Sequence, residues 1–99
     1  MNRVTGIGGI FFKARDKQAL NDWYRKHLGL PIDEYGCWTF PWRPHDRPDE
    51  EGHTVFSAFD ADTEYFAPSR KDFMINLRVD DLDRVLAELR AEGVEVDDR

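Results

Sequence analysis

The chain has 99 residues and a net charge of -6, with 34% charged and 13% aromatic residues. This length predicts one small domain with a marginal core, because such a chain buries only roughly 60–70% of its unfolded surface. The acidic balance disfavours nucleic acid as a partner. No apolar run reaches the ~20 residues that span a bilayer, so no membrane partner is expected. Cys37 is the only cysteine, which excludes an internal disulfide and suits a cytoplasmic protein.

Residues 4–14 are apolar and rich in isoleucine and phenylalanine, which predicts a strand. Asp16 is placed to cap a helix over residues 17–28, and Gly29 with Pro31 is placed to end it. The helical spacing predicts one buried stripe, in which the histidine is partly buried and hydrogen-bonded rather than a ligand. The members of this stripe are Leu20, Trp23, Tyr24, His27 and Leu28.

The middle of the chain predicts further strands over residues 34–42 and 53–59, and a short optional one at Tyr65 and Phe66. A polar, proline-rich loop separates the first two. Its acidic and histidine side chains predict a solvated connection, with adventitious metal binding as the alternative. These side chains are His45, Asp46, Asp49, Glu50 and His53.

A second strand–helix segment repeats the first at a distance of 65 residues, so that Ile75 matches Ile10 and Asp81 matches Asp16. Residues 73–79 alternate between apolar and polar side chains, which predicts a strand with one apolar face. Asp80 or Asp81 is placed to cap a helix that Gly93 ends, and residues 94–96 begin another strand. The predicted class is α+β, in which a mixed or antiparallel sheet packs one face against two helices. The apolar stripe of the second helix is Leu82, Val85, Leu86 and Leu89.

The Trp23-Tyr24 pair and the segment His27-Leu28-Gly29-Leu30, after a strand and a capping aspartate, resemble the first module of the glyoxalase/bleomycin-resistance/extradiol-dioxygenase (vicinal oxygen chelate) superfamily. Residues 38–42, Trp-Thr-Phe-Pro-Trp, are similar to one subgroup of it. Residues 74–96 resemble the start of the second module. The resemblance therefore implies one domain made of a βαβββ module over residues 1–67 and a truncated module over 73–99.

This resemblance implies a curved sheet that encloses a cavity, often with a divalent metal held by the first and last strands of each module. The first-strand ligand precedes the capping aspartate by seven residues, and the corresponding positions here are Gly9 and Met74. Neither residue type is a plausible ligand. Glu64 is the one candidate left from the last strand of the first module. We therefore expect no metal, no cofactor and no catalytic residue carried over from the family.

Strand alternation places Lys13, Asn76 and Arg78 on the face that the resemblance assigns to the ligand, together with Phe11. Apolar walls with a few polar anchors are typical of a small-molecule site. The full predicted binding set is Phe11, Lys13, Trp38, Trp42, Asn76 and Arg78. The alternative is a sheet face that is polar because water covers it.

These observations favour a metal-free module that binds a small organic ligand, anionic if Lys13 and Arg78 converge on it. The alternatives are a metal-dependent lyase, isomerase or dioxygenase, and a truncated domain that acts only through self-association. A homodimer is expected, because the strand that begins at Phe73 lacks the returning strands of its module and should leave an edge or an apolar face uncovered.

Overall fold

The structure, a computed structural model, describes residues 3–97. Its elements in chain order are β1 (Val4–Ala14), α1 (Lys17–Leu28), β2 (Cys37–Trp42), β3 (Gly52–Asp60), β4 (Phe73–Val79) and α2 (Leu82–Ala91). The predicted α+β class is confirmed. Residues 1, 2, 98 and 99 of the two predicted modules lie outside the described residues.

The four strands form one open mixed sheet in the order β2-β3-β1-β4. β1 pairs with β3 in parallel, with Ile10 opposite Phe56, and with β4 in an antiparallel sense, with Ile10 opposite Ile75. β2 is antiparallel to β3. The two matched strands of the sequence repeat, β1 and β4, are therefore direct neighbours, and a bulge between Ile7 and Gly9 shifts their register.

The register sorts the side chains onto two faces, because directly opposed residues in neighbouring strands point the same way. We call the face covered by α1 the helix face and the other the groove face. The helix face carries Ile10, Phe12, Trp38, Phe56, Phe73, Ile75 and Leu77, and the groove face carries Phe11, Lys13, Phe59, Met74 and Asn76.

The helix α1 packs on β1 and β3. The Asp16 carboxylate accepts from the Ala19 N–H at 3.0 Å, and Gly29 ends the helix in the left-handed conformation, as predicted. Tyr24 meets Phe56 edge to face at 5.4 Å between ring centroids, and Phe12 lies 5.2 Å from the same ring. These aromatic rings form the core under α1.

The predicted stripe of α1 is only half correct. Leu20 and Tyr24 are half-buried, but Trp23, His27 and Leu28 are exposed, and Asn21 is the residue that α1 buries. The prediction of a partly buried His27 was therefore wrong; its ring lies instead 5.1 Å from that of Trp23. The cause is that a single helix covers only part of the sheet, so one flank of its apolar stripe has no neighbour to pack against.

Two predicted strands do not form. Tyr65 and Phe66 lie in turns, and residues 94–96 have no regular structure. The predicted strand over 34–42 begins only at Cys37, because Asp33 accepts from the Tyr35 and Cys37 N–H groups and holds residues 33–36 as a turn. At Tyr65 and Phe66 and before Cys37, a local turn takes the place of ladder pairing, and strand propensity cannot anticipate that choice.

The helix α2 begins at Asp81, whose carboxylate accepts from the Arg84 N–H at 3.1 Å. Arg84 in turn bonds the Asp80 carboxylate at 2.6 Å, and this hydrogen bond lowers the pKa of Asp80. Arg3 ties the far end of the helix through ion pairs to Glu88 and Glu92.

The predicted packing of both helices on the sheet is shown for α1, but not for α2. Unlike α1, α2 makes no comparable set of contacts with any strand in the described part of the chain. Only Val85 of its stripe is buried, and Leu82 is 60% exposed. No helix within residues 3–97 is long and apolar enough to cross a membrane.

Candidate functional site

An open groove of about 810 Å³ lies on the groove face of the sheet, where β4 begins. This volume lies within the roughly 300–1,000 Å³ typical of small-molecule pockets. Met74 and Asn76 of β4 form its floor, and the segment that joins β3 to β4 forms its wall. The lining consists of residues 64–69, Met74, Asn76 and Asp97.

The wall of the groove is held in place by a cluster of aromatic rings. Tyr65 stacks on Phe59 at 5.2 Å, and Phe66 lies 5.2 Å from the same ring. Phe11 lies 5.1 Å from Phe59 and 6.1 Å from Tyr65. Phe66 is only 1% exposed, so this cluster is a second small core on the face opposite α1. The alternative of a sheet face entirely covered by water does not hold at this end of β1.

Lys13 is the cation beside this groove. Its Nζ lies 5.7 Å from the centroid of the Phe66 ring, and its backbone N–H donates to the Asp72 carbonyl at 2.7 Å. No carboxylate within residues 3–97 forms an ion pair with it. A cation held against an aromatic ring without a counter-charge can bind the acidic group of a ligand.

The groove also carries acidic and amide groups. Glu64 and Asp97 lie on its lining, and Asn76 offers both a donor and an acceptor from its floor. The charged residues on the lining itself are therefore acidic, and the cation Lys13 lies beside the groove, against the Phe66 ring.

Arg78 and Trp42 form a separate cluster at the other end of the sheet. The Arg78 guanidinium carbon lies 5.4 Å from the centroid of the Trp42 ring. The Trp42 Nε1–H donates to Thr54 Oγ1 at 2.7 Å, and Thr54 Oγ1 donates to the Ile7 carbonyl at 2.5 Å. The ring lies over the Cα of Gly6 and of Gly52, where a Cβ would collide with it.

The structure thus divides the predicted binding set. Phe11, Lys13 and Asn76 share the groove face near the groove. Asp72 bonds Lys13, and Arg78 lies six residues further along the chain through β4, so the backbones at Lys13 and Arg78 are roughly 20 Å apart at about 3.3 Å per residue. Their side chains lie against different rings, Phe66 and Trp42, and so belong to separate clusters. Trp38 lies on the helix face, opposite Phe56.

Sequence reasoning did not assign the aromatic wall to the site. Tyr65 and Phe66 were predicted as a strand, and only their packing on Phe11 and Phe59 brings them to the groove. The available signal was two adjacent aromatic residues before a proline-containing linker, which equally describes an ordinary hydrophobic anchor.

A second cavity, of about 400 Å³, opens beside the start of α1. Its lining mixes Arg15, Lys17 and Arg25 with Asp16, Asp33 and other acidic residues. It lacks the apolar wall that a small-molecule site normally provides, so we assign the candidate site to the groove.

The residues at the groove do not fit the divalent metal that the family resemblance implies. Gly9 is buried, and a Cβ there would lie 3.0 Å from the Phe11 ring and 3.1 Å from the Asn76 amide. Met74 offers only a thioether, which leaves Glu64 as the single plausible donor. Within residues 3–97, no three His, Cys, Asp or Glu side chains are placed to hold a metal ion, and this includes the loop around His45 and His53.

Comparison with known proteins adds no relative: no family model, no curated protein and no solved structure matches the chain. The function must therefore be argued from the geometry of the groove.

Proposed function

We propose that this chain is a metal-free binding domain of the glyoxalase/bleomycin-resistance kind, which holds a small organic ligand with an acidic group in its groove. The observation that carries the proposal is the pairing of an aromatic wall, Tyr65 and Phe66, with a cation, Lys13, that has no ion-pair partner within residues 3–97. An apolar wall with a few polar anchors is the usual composition of such a site.

The sheet topology supports the family part of the proposal. The strands that begin the two predicted modules, β1 and β4, are adjacent and antiparallel, and each is followed directly by a capped helix. Two half-domains joined through their first strands produce this arrangement. Gly9 and Met74 at the expected ligand positions support binding without a metal.

The distribution of charge suggests how a ligand would lie. Its carboxylate would face Lys13, its apolar or aromatic part would lie against Tyr65, and a hydrogen-bonding group would reach Asn76. Glu64 and Asp97 repel a second anion, so a ligand with one acidic group is favoured over a dianion.

The test is a thermal-shift screen of aromatic monocarboxylates, with the uncharged amide of each compound as its matched control. A ligand that binds only the native state raises the melting temperature. We expect the acids to raise it more than the amides do. Lys13→Met, which removes the charge and keeps most of the aliphatic stem, should weaken binding about tenfold to a hundredfold, the equivalent of losing a charge-assisted hydrogen bond of about 1.5–3 kcal/mol.

Arg78→Met is the matched control, since it removes a cation from the distant end of the sheet. It should change the affinity less than threefold. Equal effects of the two substitutions would contradict the proposed site, and equal shifts with acids and amides would contradict an anionic ligand. If no acid shifts the melting temperature at millimolar concentration, the binding function is wrong.

A second candidate function is self-association without a ligand. It is favoured by the exposure of Phe73, Ile75 and Leu77 on the helix face of β4. The two functions are compatible, because these side chains point away from the groove.

A further inference from the structure

The helix face of β4 is apolar and uncovered. Phe73, Ile75 and Leu77 alternate along one side of the strand and are 55%, 55% and 57% exposed. Ile7 and Ile10 of β1, opposite Leu77 and Ile75, are also exposed. We call these five residues the apolar strip. Exposed apolar side chains that are contiguous in this way mark an interaction surface more often than isolated ones do.

Nothing in the described part of the chain covers the apolar strip. α1 packs on β1 and β3, on the far side of Ile10 from β4. α2 follows β4 directly and carries its own apolar stripe, yet its ion pairs to Arg3 hold it where Leu77 stays exposed. The strip therefore needs a partner from outside residues 3–97.

The overall dimensions show that the molecule leaves more surface uncovered than a compact domain of its size. The molecule is flat, 45 × 36 × 16 Å, with a radius of gyration of 15.9 Å, whereas a compact domain of about 100 residues has one of about 13 Å. Its accessible surface is 7675 Å², about 1,900 Å² more than the roughly 5,800 Å² expected of a compact protein of this mass. A stable dimer typically buries about 800 Å² on each partner, and obligate dimers bury more.

We propose that a second copy of this chain covers the apolar strip, so that two copies pack helix face to helix face about a two-fold axis. The strip contains no charged residue, so burying it against itself leaves no unpaired charge. It is apolar throughout, and a two-fold axis places such a surface on an identical one. Interfaces of permanent homodimers are apolar in this way, and the excess surface is large enough to supply one.

The β2 edge of the sheet disfavours the addition of a strand, because it carries Pro41, which cannot donate to a neighbouring strand. The two sheets would instead lie about 10 Å apart, as in a β-sandwich, with their side chains interdigitated.

The test is light scattering on the 99-residue chain at concentrations from about 1 to about 500 µM, so that a dimer with a dissociation constant anywhere below this upper limit is detected. We expect a mass of about twice 11.6 kDa. Leu77→Glu places a charge in the strip and should weaken the dimer at least a hundredfold. Leu82→Glu is the matched control, because it makes the same change at a residue of similar exposure on α2, and it should alter the dissociation constant less than threefold.

Ile75→Thr serves as a milder variant if Leu77→Glu fails to fold, since it keeps a β-branched side chain and should still weaken the dimer at least fivefold. A wild-type chain that is monomeric up to 500 µM would overturn the proposal and leave the strip to a different partner. Equal weakening by Leu77→Glu and Leu82→Glu would place the interface elsewhere.

Discussion

At the scale of single residues, two glycines of β1, Gly6 and Gly8, differ in the space that a larger side chain would find beside them. The Trp42 ring occupies the space beside Gly6, and a methyl group at that position would collide with it. At Gly8 the nearest side-chain atom to a new Cβ would be Arg78 Cγ at 3.2 Å, on a flexible chain that can move. Neither glycine has a positive φ angle, so the difference between them is one of space alone.

Gly6→Ala should therefore destabilise the protein by about 1–3 kcal/mol, the usual range for overpacking a filled site. Gly8→Ala should change the free energy of unfolding little. The small shift required of the Arg78 side chain is offset by the reduced conformational freedom of the unfolded chain. Urea unfolding followed by circular dichroism measures both. If Gly8→Ala proves the more harmful of the two, the position assigned to the Trp42 ring is wrong.

The two cations Lys13 and Arg78 show why residue type alone does not define a site. Each lies against an aromatic ring, Lys13 against Phe66 and Arg78 against Trp42. Their separation along the strands still places them in different clusters. Alternation predicts the face of a residue but not its distance along that face from a residue on another strand.

At the scale of elements, the two helices have similar caps but different roles. Asp16 and Asp81 each accept from the N–H three residues later. α1 ends at Gly29 and α2 ends shortly before Gly93, and both glycines have a positive φ angle. α1 packs on the sheet through Tyr24, which meets Phe56, whereas α2 pairs with Arg3 through Glu88 and buries Val85. Exposed ion pairs contribute little compared with apolar packing.

Removing the caps should separate these roles. Asp16→Ala should lower the free energy of global unfolding by about 0.5–2 kcal/mol, since α1 belongs to the core. Asp81→Ala should instead speed hydrogen exchange of the α2 amides. It should change the free energy of global unfolding much less, because α2 can open by itself. Gln18→Ala, a change in the first turn of α1 that touches no cap, is the control. Equal losses of global stability from both aspartates would mean that α2 is as firmly packed as α1.

At the scale of the whole molecule, the sheet has two small cores in place of one. Phe12 and Phe56 pack under α1 on one face, and Phe11 and Phe59 pack under Phe66 on the other. Both cores lie over β1 and β3, so the β4 half of the sheet has little cover on its helix face. The flat shape follows from this uneven cover.

Net charge gives a prediction that belongs to the whole molecule. Each chain carries -6, so two copies repel each other, and salt screens that repulsion. If the apolar strip is the interface, raising sodium chloride from about 20 to about 500 mM should tighten the dimer several-fold, because no attractive ion pair is weakened in exchange. Sedimentation equilibrium at both salt concentrations measures this. A dimer that salt weakens would indicate an interface built on charge pairs.

The sequence by itself determined the features that depend on neighbours along the chain. Helix caps, glycine stops and period-two alternation are local, so α1, α2, β4 and the two faces of β1 could be predicted from residue types and spacing. The position of Lys13 and Phe11 on the face opposite α1 follows from the same alternation. These predictions succeeded because each depends on a few residues whose geometry is set by the backbone period.

Only the tertiary structure decided what depends on distant parts of the chain meeting. It turned Tyr65 and Phe66 from a predicted strand into the wall of the groove, because Phe11 and Phe59 offer aromatic surface that a ladder would not bury. It left His27 exposed and buried Asn21, because the rotation of α1 on the sheet is set by packing. It separated Arg78 from Lys13 through the register of β1 and β4. Free energies of packing and register are sums over many long-range contacts, and no local pattern encodes them.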